Sequence, residues 1–93
     1  MKQLRYVDQV WFVGDSTADV LLDLAAALAK AGSAEHVALR VLDINGAPTE
    51  IEFLLGPATM MTAEHATDEF AVPDNVEIEG TMKARMLELD SAP

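Results

Sequence analysis

The stretch from Val37 to Leu55 constrains the fold more than any other part of this chain. Apolar and polar residues alternate on both sides of a turn signal, the run Asp43–Gly46 with its Asn-Gly pair. Period-two alternation predicts a strand with one buried face, and two such runs around Asn-Gly predict a β-hairpin. We therefore expect an antiparallel hairpin that lies within a sheet.

The register of this hairpin follows from the chemistry of its turn. A type I turn over Asp43–Gly46, closed by a bulge at the glycine, places Arg40 opposite Glu50. A two-residue turn would instead set Val41 against Glu50. Because a one-residue slip moves every side chain to the other face of the sheet, we expect the bulged turn, which keeps the apolar side chains together.

Two further elements precede the hairpin. Tyr6–Val13 is rich in aromatic and β-branched residues, which predicts the first strand. A helix is predicted to follow, with Asp15 or Ser16 as its N-terminal cap and Ala31 as its last residue. Gly32 comes directly after that residue and is a typical helix stop signal.

The part of the chain after the hairpin is less regular. Ala58–Ala63 predicts a short fourth strand, and Glu64–Val72 is expected to be a polar loop. Residues 76–89 fit both a strand and a helix, but the strong helix formers in the second half favour a helix. Gly80 costs a helix about 1 kcal/mol, so this helix is expected to begin near Thr81.

These elements predict one α+β domain over residues 1–93. We expect a two-layer sandwich in which a three- to four-stranded, mainly antiparallel sheet is covered by one long helix, with a C-terminal helix beside it. Ninety-three residues are enough for one modest core and too few for two.

Charge and composition exclude several classes of function. The formal net charge of −10 repels phosphate backbones and anionic lipid, so neither nucleic acid nor a membrane is expected as a partner. The chain has no cysteine, which excludes disulfides and thiolate metal sites. With no signal-peptide pattern and no stretch of transmembrane length, a cytoplasmic location is expected.

One short motif resembles a catalytic one. Phe12–Ser16 reads Phe-Val-Gly-Asp-Ser and resembles the first block of the GDSL/SGNH hydrolases, in which the serine is the nucleophile. That family also carries an Asp-x-x-His motif, whereas neither His36 nor His65 has an aspartate three residues before it. The resemblance covers five residues, so we expect Ser16 to act in helix capping. We predict no enzyme, no catalytic residue and no cofactor.

Two alternative functions stay open at this point. The pair Glu64-His65 is the best-equipped segment for a ligand, so a small-molecule or metal-binding protein is one alternative. No histidine pair has the close helical spacing of a metal motif, and no metal ligand is therefore assigned. An acidic inhibitor of a basic nucleic-acid-binding protein is the second alternative, because its surface would be strongly negative.

Apolar surface is the basis of the main functional prediction. About half of the chain is hydrophobic, which is more than one covering helix can shelter. We therefore expect a non-enzymatic module that acts through homo-oligomerisation or protein binding, as a homodimer or with a basic partner protein. The candidate interface residues are Trp11, Val13, Leu42, Leu54, Met82, Met86 and Leu89.

Overall fold

The computed structural model describes residues 1–67 and 70–90, which form five strands and two helices. In chain order these are β1 (Lys2–Tyr6), β2 (Gln9–Val13), α1 (Asp15–Ala31), β3 (Glu35–Leu42), β4 (Pro48–Leu55), β5 (Met61–His65) and α2 (Val76–Asp90). The strands make one antiparallel sheet in the order β4-β3-β2-β1-β5. The predicted α+β class is confirmed, although the sheet has five strands where three or four were expected.

The additional strand arises at the N-terminus. The predicted strand Tyr6–Val13 covers the turn and the second strand of a hairpin. In this hairpin β1 pairs with β2, and Tyr6 lies opposite Gln9 next to the turn. Val7 in the connecting turn has a φ of 60°, a left-handed conformation that valine rarely adopts. The turn contains no glycine, proline or asparagine, and Asp8 is its single turn-forming residue, so the sequence signal for a turn is weak at this point.

The β3–β4 hairpin has the predicted register. Arg40 lies opposite Glu50, and Gly46 adopts a φ of 83° at the bulge. The Gly46 N–H donates to the Asp43 carbonyl at 2.9 Å, and the Asp43 N–H donates to the Ala47 carbonyl at 2.9 Å. Turn chemistry and hydrophobic alternation therefore specify the same pairing, as expected.

Helix α1 has the predicted bounds but a different cap. Gly32 ends the helix in the left-handed conformation, as the sequence indicates. The N-terminal cap is Gly14, and no side chain caps the helix there, so the prediction of Asp15 or Ser16 as the cap is wrong. The buried residues of α1 are Thr17, Ala18, Val20, Leu21, Leu24 and Leu28.

The C-terminal segment forms a helix, as the sequence analysis favoured. This helix, α2, begins at Val76, five residues before the expected start at Thr81. Asp74 accepts a hydrogen bond from the Val76 N–H at 3.1 Å, and Asn75 precedes the first helical residue. The hydrogen bond to Asp74 stabilises the first turn, and this offsets the free-energy cost of Gly80 within the helix. Neither α1 nor α2 has the length and apolar character that crossing a membrane requires.

Strand β5 begins three residues later, and ends two residues later, than the predicted fourth strand Ala58–Ala63. The Thr59 N–H donates to the Gly56 carbonyl at 3.0 Å, so the segment before Met60 is a turn. As a result, Glu64 and His65 lie in the strand, where a loop was expected.

The sheet bends strongly, and one aromatic side chain fills the bend. Two strands lie between β4 and β1 in the sheet, yet the Phe53 ring on β4 packs edge-to-face against Tyr6 of β1 and Trp11 of β2. The centroid distances are 5.4 and 5.5 Å. The Tyr6 hydroxyl also donates to the Leu54 carbonyl at 3.1 Å. The β4 strand therefore folds back over the first hairpin.

The two faces of the sheet are covered differently. On the inner face, the buried side chains of β1 to β4 and both helices form one hydrophobic core. On the outer face, Phe12 and Leu42 are buried, and the ring of Phe70 packs against Phe12 at 5.6 Å. The segment from Phe70 to Pro73 thus crosses this face near the point where β2 meets β3.

Two glycine substitutions should have opposite effects on stability. Gly46→Ala should destabilise by at least about 1 kcal/mol, because the left-handed φ disfavours a side chain and the new Cβ would lie 2.6 Å from the Phe70 ring. Gly80→Ala should stabilise by up to about 1 kcal/mol, because its Cβ would meet open space within a helix. Urea unfolding measures both, and equal effects would contradict this account.

Candidate functional site

Strand β3 extends well beyond the end of β2. Phe12 and Leu42 are the described register pair between these two strands. Directly afterwards β2 ends at Val13 and the chain enters α1 at Asp15. No described strand therefore pairs with β3 on this side from Arg40 towards its first residue.

The backbone of β3 points its hydrogen-bonding groups into this gap. The Arg40 N–H donates to Asn75 Oδ1 at 2.9 Å, and the Arg40 carbonyl accepts from Asn75 Nδ2 at 2.8 Å. Alternate residues of an antiparallel strand face the same side, so the backbone groups of Ala38 and His36 also point away from β4. No hydrogen bond from the described parts of the chain reaches the backbone of these two residues.

Helix α2 runs along this exposed edge of β3. At one end Asn75, which is buried, is bonded to Arg40. At the other end Arg85 forms an ion pair with Glu35, and this hydrogen bond raises the pKa of the Arg85 guanidinium. The helix therefore lies beside the place that a longer β2 would take, and a groove remains between helix and strand.

This groove is acidic, and we call it the acidic groove. Its volume is 490 Å³. It is lined by Ala38, Arg40, Glu50, Asp74, Asn75, Val76, Glu77, Ile78 and Thr81. Three carboxylates face one guanidinium, so the groove favours a cationic occupant.

An apolar cleft lies next to the acidic groove. It has a volume of 540 Å³, and it shares Arg40, Glu50 and Asp74 with the groove. Its other lining residues include Leu42, Gly46, Pro48, Phe70, Val72 and Pro73. A ligand that lies along β3 could therefore place a basic group in the groove and an apolar group in the cleft.

The Gly-Asp-Ser segment has a structural role at the start of α1. The hydroxyls of Ser16 and Thr17 both donate to the carboxylate of Glu79 on α2, the second at 3.1 Å. A carboxylate near a helix N-terminus is favoured by the helix dipole, so this contact ties α2 to α1. Ser16 thus bonds to an acid of the neighbouring helix, which differs from the predicted cap.

Most of the predicted interface residues lie against the core of a single chain. Val13, Leu42 and Met82 are buried, and Met86, Leu89 and Trp11 are partly buried against the core. Leu54 is 61% exposed and has the most accessible surface of the set. The prediction counted one covering helix, whereas α2 of the same chain provides a second. Homodimerisation remains a prediction, and the three buried residues are already covered within a single chain.

The side chains of Glu64 and His65 do not converge on one ligand. Glu64 pairs with Gln3 and His65 with Lys2, and neighbouring residues of a strand point to opposite faces. Within residues 1–67 and 70–90, no three histidine, aspartate or glutamate side chains converge to hold a metal ion. The geometry therefore gives no support to a metal site at this pair.

No family model, curated protein or solved structure matches this chain. Sequence reasoning missed Asn75, the residue that shapes the acidic groove. The only local signal was an Asp-Asn pair before a helix, which indicates a cap and says nothing about β3.

Removing the Asn75 amide should destabilise the fold. Asn75→Ala removes both bonds to Arg40, and we expect a loss of about 2 kcal/mol. Asn75→Asp keeps the acceptor for the Arg40 N–H, but it sets a buried carboxylate oxygen against the Arg40 carbonyl beside three other carboxylates, so it should be no more stable than Asn75→Ala. Urea unfolding of the three proteins measures this order, and an unchanged stability of Asn75→Ala would contradict the role given to this residue.

The placement of Met82 leads to a separate stability test. Met82→Ala should cost about 2–4 kcal/mol, because the side chain is 1% exposed within the core. The matched control is Met60→Ala, since Met60 is 79% exposed and should change little. The loss for Met82→Ala should be the same at every protein concentration. A loss that grows on dilution would place Met82 at a subunit interface.

Proposed function

We propose that this protein is a non-enzymatic protein-binding module whose acidic groove holds an extended, basic segment of a partner protein. The observation that carries the proposal is the open backbone of Ala38 beside three carboxylates. An extended peptide recognises such an edge through its own backbone and recognises the walls through its side chains. The cytoplasm is the proposed location.

The contact between Asn75 and Arg40 supports this mode of binding. The side-chain amide of Asn75 donates and accepts as a peptide group of an adjacent strand would. A bound segment that continues from this point would make the equivalent bonds to Ala38. Its side chains would then alternate between the carboxylates on one side and apolar groups such as Ile78 on the other.

Charge and apolar surface together define the partner segment. Lysine or arginine would face Glu50, Asp74 and Glu77, and a neighbouring apolar residue would enter the apolar cleft. The formal net charge of −10 would also speed the approach of a basic partner at low ionic strength.

A labelled peptide in which lysine alternates with valine tests the proposal by fluorescence anisotropy. We expect binding at low salt that weakens about 5–30-fold in the double variant Glu50→Gln and Glu77→Gln, which corresponds to about 1–2 kcal/mol for two charge pairs. The matched control is Asp8→Asn with Asp23→Asn, which removes the same charge from exposed positions outside the groove.

Two modified peptides complete this experiment. N-methylation of every second residue removes the N–H groups along one edge of the extended peptide. Two such peptides exist, one methylated at the odd positions and one at the even positions. One of them should lose binding and the other should keep it, because only one edge of the peptide faces β3. Equal binding by the two methylated peptides, or no binding by any of the peptides, would overturn the proposed strand addition.

The alternative of an acidic inhibitor for a basic nucleic-acid-binding protein gives a different result. Such an inhibitor would bind through charge spread over a wide surface, so the control pair Asp8→Asn and Asp23→Asn would weaken binding as much as the groove variant. Salt would weaken the complex in both cases, and the comparison of variants therefore decides.

A further inference from the structure

Strand β5 presents an unpaired edge at one end of the sheet. The Val7 N–H donates to the Met60 carbonyl at 3.4 Å, and the Ala66 N–H donates to the Met1 carbonyl at 3.1 Å. Because bonding alternates along the strand, Thr62 and Glu64 bond to β1, and the backbone groups of Met61, Ala63 and His65 point outward. Within the described residues, no hydrogen bond reaches these outward groups.

The opposite edge of the sheet, β4, is protected against a further strand. It begins at Pro48, which has no N–H, and it exposes Glu50 and Glu52. The Leu54 carbonyl is already bonded to the Tyr6 hydroxyl. Proline, charge and an occupied acceptor all disfavour strand addition, so β5 is the more available edge.

The side chains around β5 fit a second copy of the same strand. On the inner face Met61 and Ala63 are apolar and only partly buried. On the outer face Arg5 and Glu64 are exposed, and neither forms an ion pair within residues 1–67 and 70–90. Both an uncovered apolar strip and two unpaired opposite charges therefore lie at this edge.

We propose that two copies of this protein pair through antiparallel β5 strands, with Ala63 on the two-fold axis. The two five-stranded sheets would form one sheet of ten strands. Thr62 lies opposite Glu64 of the partner subunit, and Arg5 lies on the same row of the sheet, one strand further in. Neighbouring strands are about 4.8 Å apart, so Arg5 reaches across the short threonine to Glu64 of the partner subunit.

Symmetry makes this register better than its neighbours. The two-fold axis repeats the ion pair, so the dimer contains two of them, and no like charges lie opposite each other. A shift by two residues in one direction would place Glu64 against Glu64 of the partner subunit, which is unfavourable. A shift by two residues in either direction would also leave only three of the five residues of β5 overlapping.

Proline substitution tests this dimer by light scattering coupled to gel filtration. The protein should elute with twice its chain mass of 10.0 kDa at high micromolar concentration. Ala63→Pro removes only an outward N–H, so β1 can still pair with β5, and we expect a monomer. The matched control Glu52→Pro removes an outward N–H from β4 and should remain dimeric.

A charge exchange keeps the test valid if a proline variant fails to fold. Arg5→Glu alone and Glu64→Arg alone should each weaken the dimer about 5–30-fold, because each replaces two attractive pairs by repulsive ones. The double exchange should restore most of the affinity. A monomeric wild-type protein, a dimeric Ala63→Pro variant or a double exchange without recovery would each overturn the proposal. None of these results depends on the acidic groove, which lies beside β3.

Discussion

The pair of hydrogen bonds between Asn75 and the backbone of Arg40 is the contact on which the rest of this structure depends. Strand β2 has five residues and β3 has eight, so part of β3 has no neighbouring strand once the chain enters α1. Asn75 bonds to the first exposed peptide group and thereby sets where α2 begins. From that point the helix brings Met82 into the core and Arg85 to Glu35. Without an anchor there, the Arg40 peptide group would stay unpaired and nothing would fix the start of α2 against β3.

The limited contact between β2 and β3 has a second consequence. The two hairpins meet over a short stretch, so the β3–β4 arm can turn relative to β1 and β2. This turn places the Phe53 ring against both Tyr6 and Trp11 and allows the Tyr6 hydroxyl to close the β4 edge. Edge-to-face aromatic contacts add stability beyond the area that they bury. The bend therefore contributes to the core and also protects one edge of the sheet.

The two proposed interaction surfaces lie at separate places on the sheet. The acidic groove follows β3, whereas the unpaired edge belongs to β5, and two strands separate β3 from β5. The groove carries an excess of carboxylates, and the β5 edge carries one residue of each sign on its outer face. A surface whose charges have one sign suits a partner of the opposite charge. A surface with equal positive and negative charge suits a second copy of itself. One protein could therefore pair with itself and bind another molecule at the same time.

The sequence by itself determined the elements whose signals are local. The hairpin register and the end of α1 depend on residues within a few positions of Gly46 and Gly32, where turn chemistry acts directly. Only the tertiary structure decided where α2 begins and what covers the apolar residues, because Asn75 and Arg40 are 35 positions apart. The left-handed turn at Val7 likewise has Asp8 as its single local signal. Contacts between distant residues form only when the whole chain is packed, so neither periodicity nor propensity could reveal the groove.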